Sequence, residues 1–126
     1  MPTAADVMTS PVESISAGAT VGEALHQMRA HAVSSLLVEP LDPLDPPGFF
    51  SQTDAIARIV APGLEAAGVR VGDVMSRPVI TVPPETSIPD CARLMANAHI
   101  RRVLVHDGVG IVGIVSASDI LGGDGP

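Results

Sequence analysis

DVMTSPVESISAGATVGEALHQMRAHAVSSLLV, residues 6–38, returns 67 positions later as DVMSRPVITVPPETSIPDCARLMANAHIRRVLV, residues 73–105. Asp6, Met8, Pro11, Val12, Met28, Leu37 and Val38 recur as Asp73, Met75, Pro78, Val79, Met95, Leu104 and Val105, with Val21 exchanged for Ile88 and Val33 for Ile100. A self-match of this length at a fixed offset marks one structural unit used twice. After Val38 the first copy carries EPLDPLDPP before Gly48, where the second has the shorter HDGVGIV before Gly113, so the offset slips to 65. Beyond that loop GFFSQTDAI, residues 48–56, aligns with GIVSASDIL, residues 113–121. Ser51, Thr53 and Asp54 answer Ser116, Ser118 and Asp119. The repeats divide the chain into residues 1–64, a linker over 65–72, and residues 73–126.

Each copy reads as strand, helix, strand, strand, helix. In the second, residues 79–82 form a short β-rich run closed by Pro83 and Pro84. Ser87 is placed to cap a helix whose apolar positions Ile88, Cys91, Ala92 and Met95 follow helical spacing. In the first copy Thr20, with Glu23 three residues on, makes a capping box ahead of Val21, Ala24, Leu25 and Met28. Residues 102–105 and 111–115 read as strands joined by a turn at Asp107-Gly108, a strong hairpin signal. A helix over about 54–60 stops at Pro62-Gly63, whereas the second copy has only DILGGDGP left, which predicts a stunted last helix.

Composition narrows the function classes. A hydrophobic fraction of 46% with 12 Gly and 12 Pro among 126 residues suits a folded domain. No apolar run approaches the roughly 20 residues of a membrane span, and MPTAADVM lacks the basic start of a signal peptide. The expectation is a cytoplasmic protein that meets no membrane. A net charge of −7, with arginine the only strong base, disfavours nucleic-acid backbone binding. Cys91 has no partner for a disulfide and sits in an apolar helical series, so it reads as a buried position. Four scattered histidines and one cysteine offer no metal-ligand spacing.

Residues 108–113, GVGIVG, satisfy G-x-G-x-x-G. That fingerprint needs its glycines at a strand-to-helix turn with an acidic residue about 20 positions later. Here they lie in a hairpin, β-rich sequence follows, and no dinucleotide site is expected. Nor is catalysis expected: Ser116, Ser118 and Asp119 lie too close together to supply nucleophile, base and orienting group.

The paired openings DVMTSP and DVMSRP, the middle segments HAVSSLLV and HIRRVLV, and the paired closings GFFSQTD and GIVGIVSASD together resemble a tandem pair of CBS domains, the modules named after cystathionine β-synthase. The resemblance spans about 115 of the 126 residues. It implies an α+β fold of two β-α-β-β-α repeats packed sheet to sheet about a pseudo-twofold axis. It also implies a cleft that takes an adenosine-containing small molecule such as AMP, ADP, ATP or S-adenosylmethionine, a homodimer, and regulation of an effector protein. The other reading of the same fold is a ligand-free interaction module.

On that likeness the second-repeat site would comprise Val79, Ile80 and Thr81 at the adenine, His99, Arg101 and Arg102 near phosphate, and Ser116, Ser118 and Asp119 at the ribose. An anchored carboxylate suits vicinal hydroxyls, and arginine suits phosphate. The first-repeat site would comprise Val12, Ser14, Ser51, Thr53 and Asp54. There Ser34 and Ser35 stand where Arg101 and Arg102 do, and Ala32 where His99 does, so it is expected to be empty or to take a ligand of little charge. Phe49 and Phe50 are expected to fill it in part. Ser or Thr followed by Asp at a strand end is equally what a helix N-terminus requires, and the arginines equally suit solvent or a dimer ion pair.

Overall fold

Thr20 and Glu23 start the first long helix in the way their spacing predicts. The Thr20 hydroxyl accepts from the Glu23 N–H at 3.1 Å, and the Glu23 carboxylate accepts from the Thr20 N–H at 3.3 Å. In the computed structural model, which describes residues 2–77 and 79–122, this helix is α2 (Val21–His31). It follows α1 (Ala4–Val7) and the short strand β1 (Ser14–Ser16). Ala32, in the left-handed region at φ 55°, ends it. The chain then enters β2 (Ser35–Glu39), parallel to β1, and β3 (Gly48–Ser51), antiparallel to β2. Helix α3 (Gln52–Ala55) continues without a break into a wider turn over Ile56–Val60. It starts two residues earlier than the sequence pattern suggests, because Ser51 is its cap.

The second copy repeats the plan after α4 (Val71–Val74): β4 (Thr81–Val82), α5 (Ile88–Ala98), β5 (Arg102–His106), β6 (Ile111–Ser116) and α6 (Ala117–Ile120). Strand β4 pairs parallel to β5, and β5 antiparallel to β6. Two residues of the expected strand at 79–82 lie outside the ladder: Val79 and Ile80 precede β4, and the Ile80 carbonyl continues it, accepting from Leu104 N–H at 2.8 Å. Proline cannot donate to a ladder, and Pro83 ends the strand. The hairpin turns where expected, with Gly108 at φ 97°. The Asp107 carboxylate accepts from the Val109 and Gly110 N–H groups at 2.8 and 3.0 Å. These bonds hold its pKa below the ordinary aspartate value. Helix α6 spans four residues, short as expected, and residues 123–126 lie outside the described part.

Compact units and sequence repeats divide the chain differently. One unit is drawn from residues 1–12 and 80–126, the other from residues 13–79. In the first, Ala4 N–H donates to the Thr86 carbonyl at 2.8 Å, Thr9 and Ile114 exchange both backbone hydrogen bonds, and Met8 lies against Gly113. In the second, Val71 N–H donates to the Ala19 carbonyl at 2.8 Å, Ser76 and Phe49 exchange backbone bonds, and Met75 lies against Gly48. Each DVM opening therefore folds onto the last strand of the other repeat's sequence. The recurring methionines and glycines are the two halves of that contact.

The cores follow. Val21, Ala24, Met28, Leu36, Val38, Phe50, Ile59 and Val71 are buried together in the unit of residues 13–79. Ala4, Val82, Cys91, Met95, Val103, Val105 and Val115 form the core of the other. Phe50 is fully buried in the core of residues 13–79, so the expectation that it fills a ligand cleft is corrected: its ring is core. Phe49 is buried as well, on the opposite face of β3. Cys91 is buried as predicted, and burial pushes its thiol pKa up, which keeps it protonated and unreactive.

Candidate functional site

Strands β3 and β6 each end in a serine that caps the following helix. The Ser51 hydroxyl accepts from the Asp54 N–H at 3.2 Å, while Asp54 Oδ2 accepts from the Ser51 N–H at 2.9 Å and its hydroxyl at 3.1 Å. Ser116 and Asp119 reproduce the arrangement at 3.2, 2.8 and 3.0 Å. Both are capping boxes with aspartate in place of glutamate, and the acid also favours the positive helix end. The cap thus engages one oxygen of each carboxylate and leaves the other to a second role. Capping and ligand contact are compatible readings of the same residue.

The second oxygens differ. Asp54 Oδ1 accepts a hydrogen bond from the Ser76 hydroxyl at 2.7 Å, and the residue is buried at 9% exposure. Asp119 is half-buried, and among the described residues no hydrogen bond reaches its Oδ1. One carboxylate is saturated internally; the other is anchored on one side and open on the other. Ser76 was not among the residues expected at either site. The signal was present, since both openings place a hydroxyl directly after DVM, as Thr9 and Ser76.

Charge separates the two ends further. Arg102 lies directly across the ladder from Ser116, a register that puts both side chains on one face of the hairpin. The matching pair in the first repeat is Ser35 and Ser51. The Arg101 carbonyl accepts from the Ala117 N–H at 2.9 Å, as the Ser34 carbonyl accepts from Gln52 N–H at 3.1 Å. Arg101 is exposed, as are Ser118 and, at the first-repeat end, Thr53. Helix start, carboxylate and the Arg101-Arg102 segment therefore lie at one end of β5 and β6, with Arg102 on the Ser116 face.

The remaining expected site residues are dispersed. His99 is the left-handed residue that closes α5 and is exposed, two positions ahead of Arg101. Ile80 packs on the core, and its carbonyl is engaged by Leu104. Thr81 lines a hollow of about 520 Å³ with Glu85, His106 and Asp107, at the hairpin-turn end of the sheet and away from Ser116. Ser14 lies in β1, where its carbonyl accepts from Gln27 Nε2 at 2.8 Å. Val12 and Val79 fall in different compact units from the other residues of their expected sites. Among the described residues no cluster of His, Cys, Asp and Glu could hold a metal ion, and no helix is long and apolar enough to cross a membrane.

Residues 4–61 and 71–123 each match the CBS domain. The chain belongs to the CBS-domain family. An uncharacterized protein of Methanopyrus kandleri, MK0525, is 34% identical over 119 residues, which are 92% of this chain and 57% of that protein. The CBS domain-containing protein YhcV of Bacillus subtilis is 32% identical over 115 residues, 91% of this chain and 80% of YhcV. Among solved structures, a hexameric CBS-CP12 protein from bloom-forming cyanobacteria superposes with a TM-score of 0.87 at 37% identity, covering 95% of this chain and 66% of that one. The CBS pair here thus spans little more than half of MK0525 and about two thirds of the CBS-CP12 chain. The two β-α-β-β-α repeats described above are the two CBS domains.

Proposed function

We propose that this CBS pair is a regulatory module that binds an adenosine-containing ligand at the Asp119 end of its second repeat and acts, as a homodimer in the cytoplasm, on a partner protein. The observation that carries this reading is the Asp119 carboxylate, locked at Oδ2 by the Ser116 cap while no hydrogen bond among the described residues reaches Oδ1. A ribose presents two vicinal hydroxyls as donors, and hydrogen bonds to a charged acceptor are the strong kind. Because the cap already fixes the carboxylate, little side-chain entropy is lost on binding. Arg101 and Arg102 supply cations for phosphate, or for another anionic substituent on the nucleoside. Nothing in this arrangement requires bond making or breaking; the module senses. AMP, ADP, ATP and S-adenosylmethionine all fit this chemistry.

The test exploits composition. With no Trp and no Tyr, the chain barely absorbs at 280 nm, so a co-purified purine would dominate the ultraviolet spectrum near 260 nm. Asp119→Ala removes hydrogen bonds to a charged group, worth about 1.5–3 kcal/mol, and is expected to weaken AMP binding roughly 10- to 100-fold. Ser116→Ala, which loses the cap but keeps the carboxylate, measures the stability component separately. Equal AMP affinity for Asp119→Ala and the parent would refute the reading.

One observation favours the interaction reading. Ile56, Val60 and Leu64, spaced four apart along the wider turn after α3 and just beyond it, are 63%, 67% and 51% exposed. An apolar stripe of this kind marks a surface for association. Ile56→Glu with Val60→Glu is expected to halve the mass measured by light scattering, and an unchanged mass would remove this stripe from the interface.

A further inference from the structure

Ser76 is held by its backbone on both sides. Its N–H donates to the Phe49 carbonyl at 2.7 Å, and its carbonyl accepts from the Phe49 N–H at 2.9 Å. The preceding carbonyls, of Val74 and Met75, accept from the Arg58 guanidinium at 3.0 and 3.2 Å. Met75 itself fills the space beside Gly48, where an added Cβ would lie 2.6 Å from its sulfur. These contacts aim one hydroxyl at one oxygen, Asp54 Oδ1. At the equivalent place Thr9 makes the same reciprocal backbone pair with Ile114, at 2.9 and 3.1 Å, yet among the described residues it donates nothing to Asp119.

We infer that Ser76 is a built-in occupant of the first-repeat carboxylate, standing where a ribose hydroxyl would bind and limiting the chain to one nucleoside site, at Asp119. The inference rests on the proposed role of Asp119 as a ribose acceptor. An intramolecular donor is already in place and costs no association entropy, so a free ligand must displace it to reach the same oxygen. Ser34 and Ser35 bring no cation at the positions that Arg101 and Arg102 hold in the second repeat. Ser76 therefore determines site number, and its replacement opens a site with different selectivity.

The experiment is calorimetric titration with adenosine and with AMP on the Asp119→Ala chain, with and without a second change at position 76. Ser76→Ala removes the donor; Ser76→Cys keeps the volume with a weak donor, should the alanine variant fail to fold. Either is expected to gain one adenosine site per chain, at least tenfold tighter than Asp119→Ala alone, with no added affinity for AMP over adenosine. Adding Asp54→Asn is expected to abolish the gain, and Ser76→Thr, which retains a hydroxyl, to show none. Binding by both Ser76 variants no better than Asp119→Ala overturns the inference. The parent reading fails separately, if the unaltered chain binds AMP no better than Asp119→Ala. An Asp54-dependent gain would then still uphold the role of Ser76, and no gain would dismiss both.

Discussion

Phe50→Ala is expected to lower the unfolding free energy by about 3–5 kcal/mol, the range for truncating a buried aromatic ring to alanine. Phe50 is the largest fully buried side chain of the protein. It pairs across the ladder with Leu36 and packs among Val21, Met28 and Val38. The cost combines lost transfer energy with a cavity that a close-packed surround cannot close. Against a total stability of roughly 5–15 kcal/mol for a domain, this is about a fifth or more. Urea unfolding followed by circular dichroism checks it, since the chain has no Trp for fluorescence. A loss below about 1 kcal/mol would return the ring to the role of cleft filler. The equivalent residue, Val115, is buried too but smaller, and its truncation is expected to cost less.

Gly113→Ala and Gly48→Ala are expected to destabilise by about 1–3 kcal/mol or more, as overpacking does, and to differ in how they can be rescued. The three atoms nearest a Cβ on Gly113 would all belong to the Met8 side chain, its sulfur first and its Cγ at 2.8 Å. Met8→Ala should therefore recover part of the loss. A Cβ on Gly48 would meet Met75 and also the Ser76 carbonyl, at 2.9 Å. Met75→Ala leaves that backbone atom in place and should recover little. A double-mutant cycle on denaturation midpoints reads the difference as a coupling energy large for the first pair and small for the second. Equal rescue in both would mean that the Ser76 backbone yields, and with it the seat of the hydroxyl on Asp54.

Much of the architecture was legible because it is written in short-range chemistry. Thr20 with Glu23, Ser87, and the Asp107-Gly108 turn each act over two or three residues, and each took the conformation that its local hydrogen bonds favour. The apolar spacing of Val21, Ala24 and Met28 located the buried stripe of α2. Phe50 was misplaced because aromatic side chains suit a strand core and a purine pocket equally, and only the register of β3 on β2 turns its ring toward the core. Thr81 reads as a strand residue, and the parallel register of β4 sets it opposite Leu104, the middle residue of β5.

The sequence by itself determined that there are two copies of one β-α-β-β-α unit, where their caps and turns fall, and that the second carries arginines where the first carries serines. These follow from periodicity and from interactions among near neighbours, which a linear text preserves. Only the tertiary structure decided that each DVM opening belongs with the other copy's last strand, with Met8 on Gly113 and Met75 on Gly48. It alone set Ser76 on Asp54 across 22 residues, while among the described residues no donor reaches the second oxygen of Asp119. Thr9 and Ser76 are both hydroxyls after the same tripeptide, so the text treats them alike. A hydrogen bond depends on tenths of an ångström between segments far apart in the chain, and that distance is settled only when the cores beneath them pack.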